Sequence, residues 1–334
     1  MKKLQTLLII TAVVSFQFTY GQSDFTDATS DVSKINAKAD WPAEGRKSKN
    51  GGGWSVNPNV LGKVPKRVAL VTFYLEDPGT SKEKQSATSY SGFMWSTPAD
   101  KATEHVKGFY DQSIDALIQA YAKYDMELLT PDQFLDTDEK KSFYNSFQVE
   151  HGKLKKTKEK SSALSKAGKL DIARFRAVPD GGYKSIIIAN EKANFYGSIY
   201  NFLMDSNESK FFQSMGYDLA NGLGVDAVVA VTIVTRKEEM AKENYSVNHV
   251  SMYMFGPNPT QLPEEEDKGL KGAFYVRGQF YCGSRVNFSK LENFQRVDKK
   301  KGTPNWAPVY TGMENVMTAL TDKIGTYFQG RLAK

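Results

Sequence analysis

The spacing of apolar residues in the first half of the chain predicts a strand, a helix and a second strand. The run Lys66 to Glu76, "KRVALVTFYLE", is continuously apolar at its centre, which is typical of a strand covered on both faces. Apolar residues then recur every three or four positions from Val106 to Tyr121, which indicates a helix. Met126 to Leu129 follows as a second strand. This order predicts a βαβ unit with a right-handed crossover.

The middle of the chain predicts two more helices and two more strands. Asp132 to Phe147 and Ser206 to Gly222 carry helical spacing. Tyr183 to Asn190, "YKSIIIAN", predicts a short strand, and the apolar run Val225 to Val234 predicts a long one. The alternation of strands with helices favours an α/β fold with a parallel core.

A change of period predicts an antiparallel hairpin near the end of the chain. In "AFYVRGQFYC", residues 273–282, apolar residues alternate with a second set, so one face should be buried and the other wet. The wet set mixes aromatic rings with arginine, as protein interfaces do: Tyr275, Arg277 and Tyr281. Either a partner or the terminal helix covers this face. The antiparallel neighbour is predicted at Val247 to Phe255.

A final amphipathic helix completes the predicted fold. Thr311 and Glu314 have the spacing of a capping box, and the apolar face that follows them should cover the sheet. The fold class is therefore predicted as α/β: a mixed β-sheet with a parallel βαβ core, an antiparallel edge hairpin and flanking helices.

Two glycines in "GYDLANGLGVDAVVAVTIVTRK", residues 216–237, raise the possibility of a phosphate-binding loop. A dinucleotide fingerprint follows a strand and opens a helix. Here the helix precedes the glycines and the strand follows them. Gly222 and Gly224 are therefore predicted to lie past a helix end, where a left-handed cap favours glycine.

The N-terminal residues predict export. Lys2 and Lys3 precede an apolar core from Leu7 to Phe16 and then small or polar residues, the order of a secretory signal. The core is too short for a comfortable membrane span, and no second apolar segment is long enough, so the mature chain should have no transmembrane span. Cleavage near Gly21 would release the chain into the periplasm, with outer-membrane association left open.

The predicted signal occupies residues 1–21, and composition sets the limits of the segments that follow it. Residues 22–63 are rich in Gly, Asn, Lys and Pro and predict a leader that is flexible or drapes over the domain, with Trp41 and Trp54 favouring partial docking. Residues 64–334 are predicted as a single α/β domain with a basic insertion at about 149–205.

Charge and cysteine content exclude several classes of function. The formal net charge of +6 falls to about +4 once the two signal lysines are removed, and both signs are abundant, so nucleic acid is not an expected partner. The single cysteine, Cys282, excludes an intramolecular disulfide and a multi-cysteine metal site. Because Cys282 lies far from the signal, no lipid anchor is expected.

Residues 153–176 are the most biased stretch, with nine Lys or Arg against two acids. One interpretation is an electrostatic patch for an envelope protein, an anionic lipid surface or a cell-wall polymer. The other is a soluble, disordered insertion. The residues proposed to bind the partner are Lys153, Lys155, Lys156, Lys158, Arg174 and Arg176.

The titratable residues do not form a recognisable catalytic or metal motif. His105, His151 and His249 are not spaced as paired ligands, and a strand histidine such as His249 more often has a structural role than a catalytic one. The acidic cluster Asp136 to Glu139 is interpreted as a solvated turn or helix start. No GxSxG or GxxxxGK motif occurs. Catalytic residues, cofactors and metals are accordingly predicted as none.

A resemblance to known envelope proteins adds to this interpretation. The succession "RVALVTF", a long helix, "MELLTPDQF", another helix and "DLANGLGVDAVVAVTI" resembles the α/β module shared by the curli-secretion channel (CsgG) family, the LpoB-type activators of cell-wall synthases and the TolB N-terminal domain. The matching residues are mostly core positions, covering Lys66 to Arg236 with an insertion. The resemblance implies an envelope protein that acts by contact.

Two functions follow as hypotheses. The first is an exported, non-enzymatic binding or assembly module of the bacterial cell envelope, acting through protein or polyanion contacts. The alternative is an exported hydrolase whose carboxylates and histidine are assembled from distant loops, with Glu264 to Asp267 as one arm.

Overall fold

The described residues form one mixed β-sheet with helices on both faces. In the computed structural model these residues are 25–40, 64–77, 99–149, 175–186, 211–237, 245–258, 271–281 and 310–332. The strands are β1 (Ala37–Asp40), β2 (Arg67–Asp77), β3 (Glu127–Leu129), β4 (Phe175–Ala177), β5 (Ala227–Lys237), β6 (Tyr245–Pro257) and β7 (Gly272–Tyr281). The helices are α1 (Phe25–Thr29), α2 (Ala99–Ala122), α3 (Pro131–Phe134), α4 (Asp138–Ser146), α5 (Ala220–Leu223) and α6 (Met313–Leu332). A 3-10 turn, Val32–Lys34, follows α1, and a π-helical segment, Gln213–Leu219, leads into α5.

The order of the strands confirms the predicted fold class. They lie in the order β1-β7-β6-β5-β2-β3, and β4 also pairs with β2. β2 runs parallel to β3 and β5, whereas the other pairs are antiparallel. The parallel βαβ core and the antiparallel hairpin β6–β7 are both present, with β1 added outside the hairpin.

β2 is buried on both faces, as its continuous apolar sequence predicts. Every residue from Val68 to Leu75 is buried. Successive side chains of a strand point to opposite faces, so the strand contributes to two separate cores. Leu70 and Phe73 belong to the core beneath α2 and α6, and Val71 and Tyr74 to the core beneath α5.

Helices α2 and α6 pack together over the first face. Leu117 of α2 and Leu320 of α6 are fully buried there. The Tyr121 hydroxyl of α2 donates to the sulfur of Met252 on β6 at 3.1 Å. The prediction that a terminal helix covers the sheet is thus confirmed. None of the described helices is long and apolar enough to cross a bilayer.

The π-helical segment approaches the second face so closely that one position requires glycine. A Cβ atom on Gly216 would lie 2.5 Å from the carbonyl oxygen of Gly256 and 2.7 Å from the backbone nitrogen of Ala273. Any side chain would push the helix away from β6 and β7. Phe212, at the start of this helix, stacks on Phe274 of β7 with ring centroids 6.0 Å apart.

The corner between α5 and β5 confirms the predicted helix cap for Gly224 and corrects the predicted position of Gly222. Gly224 caps α5 in the left-handed region with φ +66°. Gly222 lies within the last turn of α5 rather than beyond it, and a Cβ there would overlap the Phe143 ring. Asp226 closes the corner, since its Oδ2 accepts from the backbone nitrogens of Lys66 and Arg67, each at 2.9 Å. The glycines therefore end a helix and do not cradle a phosphate.

The predicted helix over 132–147 is wrong as a single element. α3 ends at Phe134, and α4 begins after Thr137, whose hydroxyl accepts from the backbone nitrogen of Lys140 at 3.2 Å. A threonine cap satisfies an end donor and starts a new helix within an otherwise periodic sequence. The interpretation of Asp136 to Glu139 as a helix start is confirmed.

The strand predicted at Tyr183 to Asn190 is not a strand in its described part, which ends at Ile186. This segment is instead fixed by hydrogen bonds to its neighbours. The Thr72 hydroxyl donates to the Lys184 carbonyl at 2.7 Å, and the Lys184 backbone nitrogen donates to the Tyr144 hydroxyl at 3.0 Å. The short strand β4 takes the edge of β2 beside it.

The capping box predicted at Thr311 and Glu314 is also wrong. Gly312, with φ +101°, takes the cap position, because its carbonyl accepts from the backbone nitrogen of Val316 at 3.1 Å. Glu314 reaches back to the Gly312 nitrogen at 2.9 Å. The carboxylate therefore caps the helix, but from the second helical position.

Part of the predicted leader belongs to the folded domain. Phe25 and Ile35 lie in the core beneath α2 and α6, and β1 pairs with β7. Residues 41–63, with Trp41 and Trp54, lie outside the described residues, as do residues 206–210 of the helix predicted from Ser206.

We expect Gly216→Ala to lower the free energy of unfolding by about 1–3 kcal/mol, because the added methyl group overlaps backbone atoms of β6 and β7. Urea unfolding followed by circular dichroism measures the change. Gly330→Ala is the matched control: Gly330 lies in α6, and a Cβ added there would have no atom within 4 Å. The free energy of unfolding of this variant should rise by up to about 1 kcal/mol, because alanine has a higher helix propensity than glycine. Equal stability of Gly216→Ala and wild type would contradict the close approach.

Candidate functional site

Six polar side chains lie on one face of β5, β6 and β7, where an apolar core would be expected. We call this set the polar layer: Thr232, His249, Ser251, Tyr253, Arg277 and Gln279. It lies on the sheet face opposite α2 and α6. Beyond Tyr253 and Arg277, the next cross-strand pair on the same face is apolar: Phe255 lies opposite Phe274.

The strand period places these side chains together. Thr232 alternates with Val231 and Ile233, which face α2 and α6, so its hydroxyl points to the other face. Ser251 is similarly flanked by two residues of that first core, Val250 and Met252. The polar positions of the three strands then fall into register.

The register produces rows across the sheet. Thr232 lies directly opposite Ser251, and Ser251 lies opposite Gln279. The next row pairs Tyr253 with Arg277. Directly opposed side chains have Cβ atoms about 4.5–5.5 Å apart, so each row forms a continuous line of polar groups.

The end row of the layer is formed by His249 and its cross-strand neighbour. His249 is partly buried and lies opposite Tyr281, with ring centroids 5.8 Å apart. Tyr281 is 52% exposed, and its hydroxyl donates to Oε1 of Gln279 at 3.3 Å. The layer therefore opens toward the surface at the end where Tyr281 lies.

Four polar atoms of the layer are buried without a hydrogen-bond partner among the described residues. They are Thr232 Oγ1, Ser251 Oγ, Gln279 Nε2 and His249 Nε2. A buried polar atom without a partner costs about 1–3 kcal/mol, and native proteins contain few of them. Their concentration on adjacent positions is what singles out this part of the sheet.

The layer contains one positive charge. Arg277 is 4% exposed and lies one row from Ser251 and Gln279. Burial lowers the pKa of His249 to about 4, and the Arg277 guanidinium adds to this shift by repelling a second positive charge. The imidazole is therefore neutral at pH 7, and the guanidinium supplies the charge of the layer.

These groups are suited to binding oxygen-bearing ligands. Hydroxyls, the glutamine amide and the guanidinium all donate hydrogen bonds, and neutral imidazole either donates or accepts. No carboxylate belongs to the polar layer. No cluster of three or more His, Cys, Asp or Glu within the described ranges could hold a metal ion.

The predicted wet face of β7 is wrong, because the sheet is covered on both faces. Tyr275 and Arg277 are buried, and only Tyr281 is exposed. A β-bulge also breaks the alternation along β7. Met254 pairs with Val276 and Phe255 with Phe274, so Tyr275 is the extra residue. The bulge leaves Tyr275 in the core beneath α2 and α6, where its hydroxyl donates to the Pro257 carbonyl. Arg277 and Tyr281 remain together on the opposite face.

The predicted basic patch falls mostly outside the described residues. Those positions are Lys153, Lys155, Lys156, Lys158 and Arg174. Arg176 lies in β4, opposite Glu76 of β2.

The other titratable candidates divide between described and undescribed positions. His151, Cys282 and Glu264 to Asp267 lie outside the described residues. His105 lies on α2, where its Nδ1 is 2.9 Å from the Tyr310 hydroxyl. His249 lies on a strand, as predicted.

Sequence reasoning did not name Tyr253 or Gln279 as functional candidates, and it also missed the two hydroxyl residues Thr232 and Ser251. Both lie in apolar runs, "VVAVTIV" and "VSMYMF", where a single hydroxyl does not interrupt the hydrophobic pattern. A weak signal exists: a hydroxyl at the same alternate position in two strands that pair. Using that signal requires the register, which the sequence does not provide.

No protein-family model matches this chain, and neither the curated proteins nor the solved structures contain a significant match.

We expect His249 to make the protein less stable as the pH falls from about 6.5 to about 4. In this window the unfolded chain binds a proton that the folded chain does not, because the folded pKa is the lower one. The loss is at most about 3 kcal/mol, since one pKa unit corresponds to about 1.4 kcal/mol. Urea midpoints of wild type and His249→Gln, measured across this range, should show wild type losing stability relative to the variant as the pH falls. Parallel curves would show that the imidazole is not held neutral.

Proposed function

We propose that this protein is an exported, non-enzymatic binding or assembly module of the bacterial cell envelope, working in the periplasm. The polar layer carries the proposal. It combines a buried guanidinium, hydroxyls, an amide and a neutral imidazole, which are groups that recognise a polar or anionic partner. The secretory pattern of residues 1–21 supports export.

The partner surface of the proposed module is basic. Residues 153–176 carry nine Lys or Arg, which favours an acidic envelope protein, an anionic lipid surface or a cell-wall polymer. The resemblance to the CsgG, LpoB and TolB modules supports the same class, because those proteins act by contact. In this proposal the folded sheet is the scaffold and the basic segment makes the first electrostatic contact.

The alternative of an exported hydrolase has less support. Acid–base hydrolysis needs a proton acceptor and groups that orient it. Among the described residues, the charged group that shifts the pKa of His249 is the Arg277 guanidinium, which disfavours protonation of the imidazole. An orienting carboxylate would have the opposite effect.

Replacing the first lysines of the basic segment should weaken binding to the envelope. We expect the variant with Lys153, Lys155, Lys156 and Lys158 changed to Glu to bind purified cell-wall polymer or anionic vesicles at least about tenfold more weakly than wild type, since four positive charges are replaced by negative ones. Co-sedimentation at low and high salt measures the change, and the wild-type affinity should fall as salt increases.

The matched control reverses the same number of charges elsewhere on the domain. Lys34, Lys38, Lys141 and Lys323 are exposed lysines on α4, α6 and the N-terminal segment. Changing them to Glu should leave binding within about threefold of wild type if the basic segment carries the contact. Equal losses in both variants would indicate nonspecific attraction, and unchanged binding in the first variant would remove the basic segment from the proposal.

A further inference from the structure

We propose that the polar layer is the binding site of a small ligand that carries a carboxylate or a phosphate group. This deepens the proposed function and rests on it only in treating the protein as a binding module. Neither the sequence pattern nor the resemblance assigns a ligand to these residues.

Three buried side chains of the polar layer have polar atoms without a described partner. Thr232 is 3% exposed, Ser251 is fully buried and Gln279 is 2% exposed, yet their Oγ1, Oγ and Nε2 atoms have no hydrogen-bond partner among the described residues. Apolar side chains of similar size would avoid the cost of leaving these atoms unpaired. A ligand that accepts hydrogen bonds would satisfy all of them at once.

These three side chains also lie side by side across the sheet. The three side chains occupy one row across β5, β6 and β7, in direct register. Neighbouring strands lie about 4.8 Å apart, so the row extends over about 10 Å, which fits a ligand of a few non-hydrogen atoms. His249 lies two residues from Ser251 on β6, in the next row of the same face, and its Nε2 is likewise buried without a described partner.

A positively charged side chain lies beside this row. Arg277, in the adjacent row, gives this buried region a positive charge. Guanidinium groups form stronger hydrogen bonds to carboxylate and phosphate than to neutral acceptors. Neutral hydroxyl and amide donors beside a cation are the combination that an oxyanion requires.

The route of entry follows from the exposure of the end row. Tyr281 is the large hydrophobic residue that remains exposed in the described part of the chain, and it lies opposite His249. A ligand would enter past the Tyr281 ring and reach Gln279, to which the Tyr281 hydroxyl donates.

Thermal unfolding of the mature full-length chain tests the site. Sodium acetate and sodium phosphate are the probes, compared with sodium chloride at matched ionic strength. We expect at least one probe to raise the midpoint by about 2 °C or more, because a ligand that binds only the folded state stabilises it. A shift with acetate alone identifies a carboxylate ligand, with phosphate alone a phosphate ligand, and with both a general oxyanion site.

The variant Thr232→Val/Ser251→Ala removes two donors with little change of shape. It should abolish the shift while keeping the probe-free midpoint at or above that of wild type, because it deletes polar atoms that lack partners. Thr321→Val is the matched control, since Thr321 Oγ1 is also buried without a described partner but lies on α6. That variant should retain the full shift.

The outcomes separate this proposal from the proposed function. No shift with either probe, or a shift that persists in the double variant, would overturn the ligand site. A probe-free midpoint well below wild type in the double variant would show that the two hydroxyls are already satisfied within the fold, and would overturn it as well. Unchanged envelope binding in the lysine variant, together with an intact probe shift, would instead overturn only the basic contact surface.

Discussion

Burial of the sheet on both faces is the constraint from which the other features of this structure follow. β2 is buried on either side from Val68 to Leu75, and β5, β6 and β7 continue the same condition. A sheet in this situation needs two apolar surfaces, and each covering helix must fit closely. Gly216 shows how close the fit is on one side, where helix backbone meets strand backbone with no space for a methyl group.

The same constraint gives the polar layer its significance. On a solvated sheet face, Thr232, Ser251 and Gln279 would be bonded to water and would need no explanation. Inside the protein each unpaired atom costs free energy, so the layer is a local exception to an otherwise apolar design. Such exceptions are expected where a protein binds something, because function rather than packing then selects the residue.

The long periodic segments are the part of the fold that sequence reasoning recovers. β2, α2, β5 and α6 carry strong patterns and lie close to where those patterns predict them. The errors fall where a single contact decides the outcome. Thr137 caps α4 and divides a predicted helix, and the bulge between Met254 and Phe255 transfers Tyr275 to the opposite core. Neither event changes the hydrophobic pattern enough to be detected.

The sequence by itself determines the α/β class, the order of the main elements and the role of Gly224 as a helix cap, because these depend on local periodicity and backbone sterics. Only the tertiary structure decides that Arg277 is buried and that Thr232, Ser251 and Gln279 form one row. The reason is that alternation along a strand distinguishes its two faces without stating whether water or another layer covers each of them. Which residues meet across strands depends on register, and register is a property of the whole sheet.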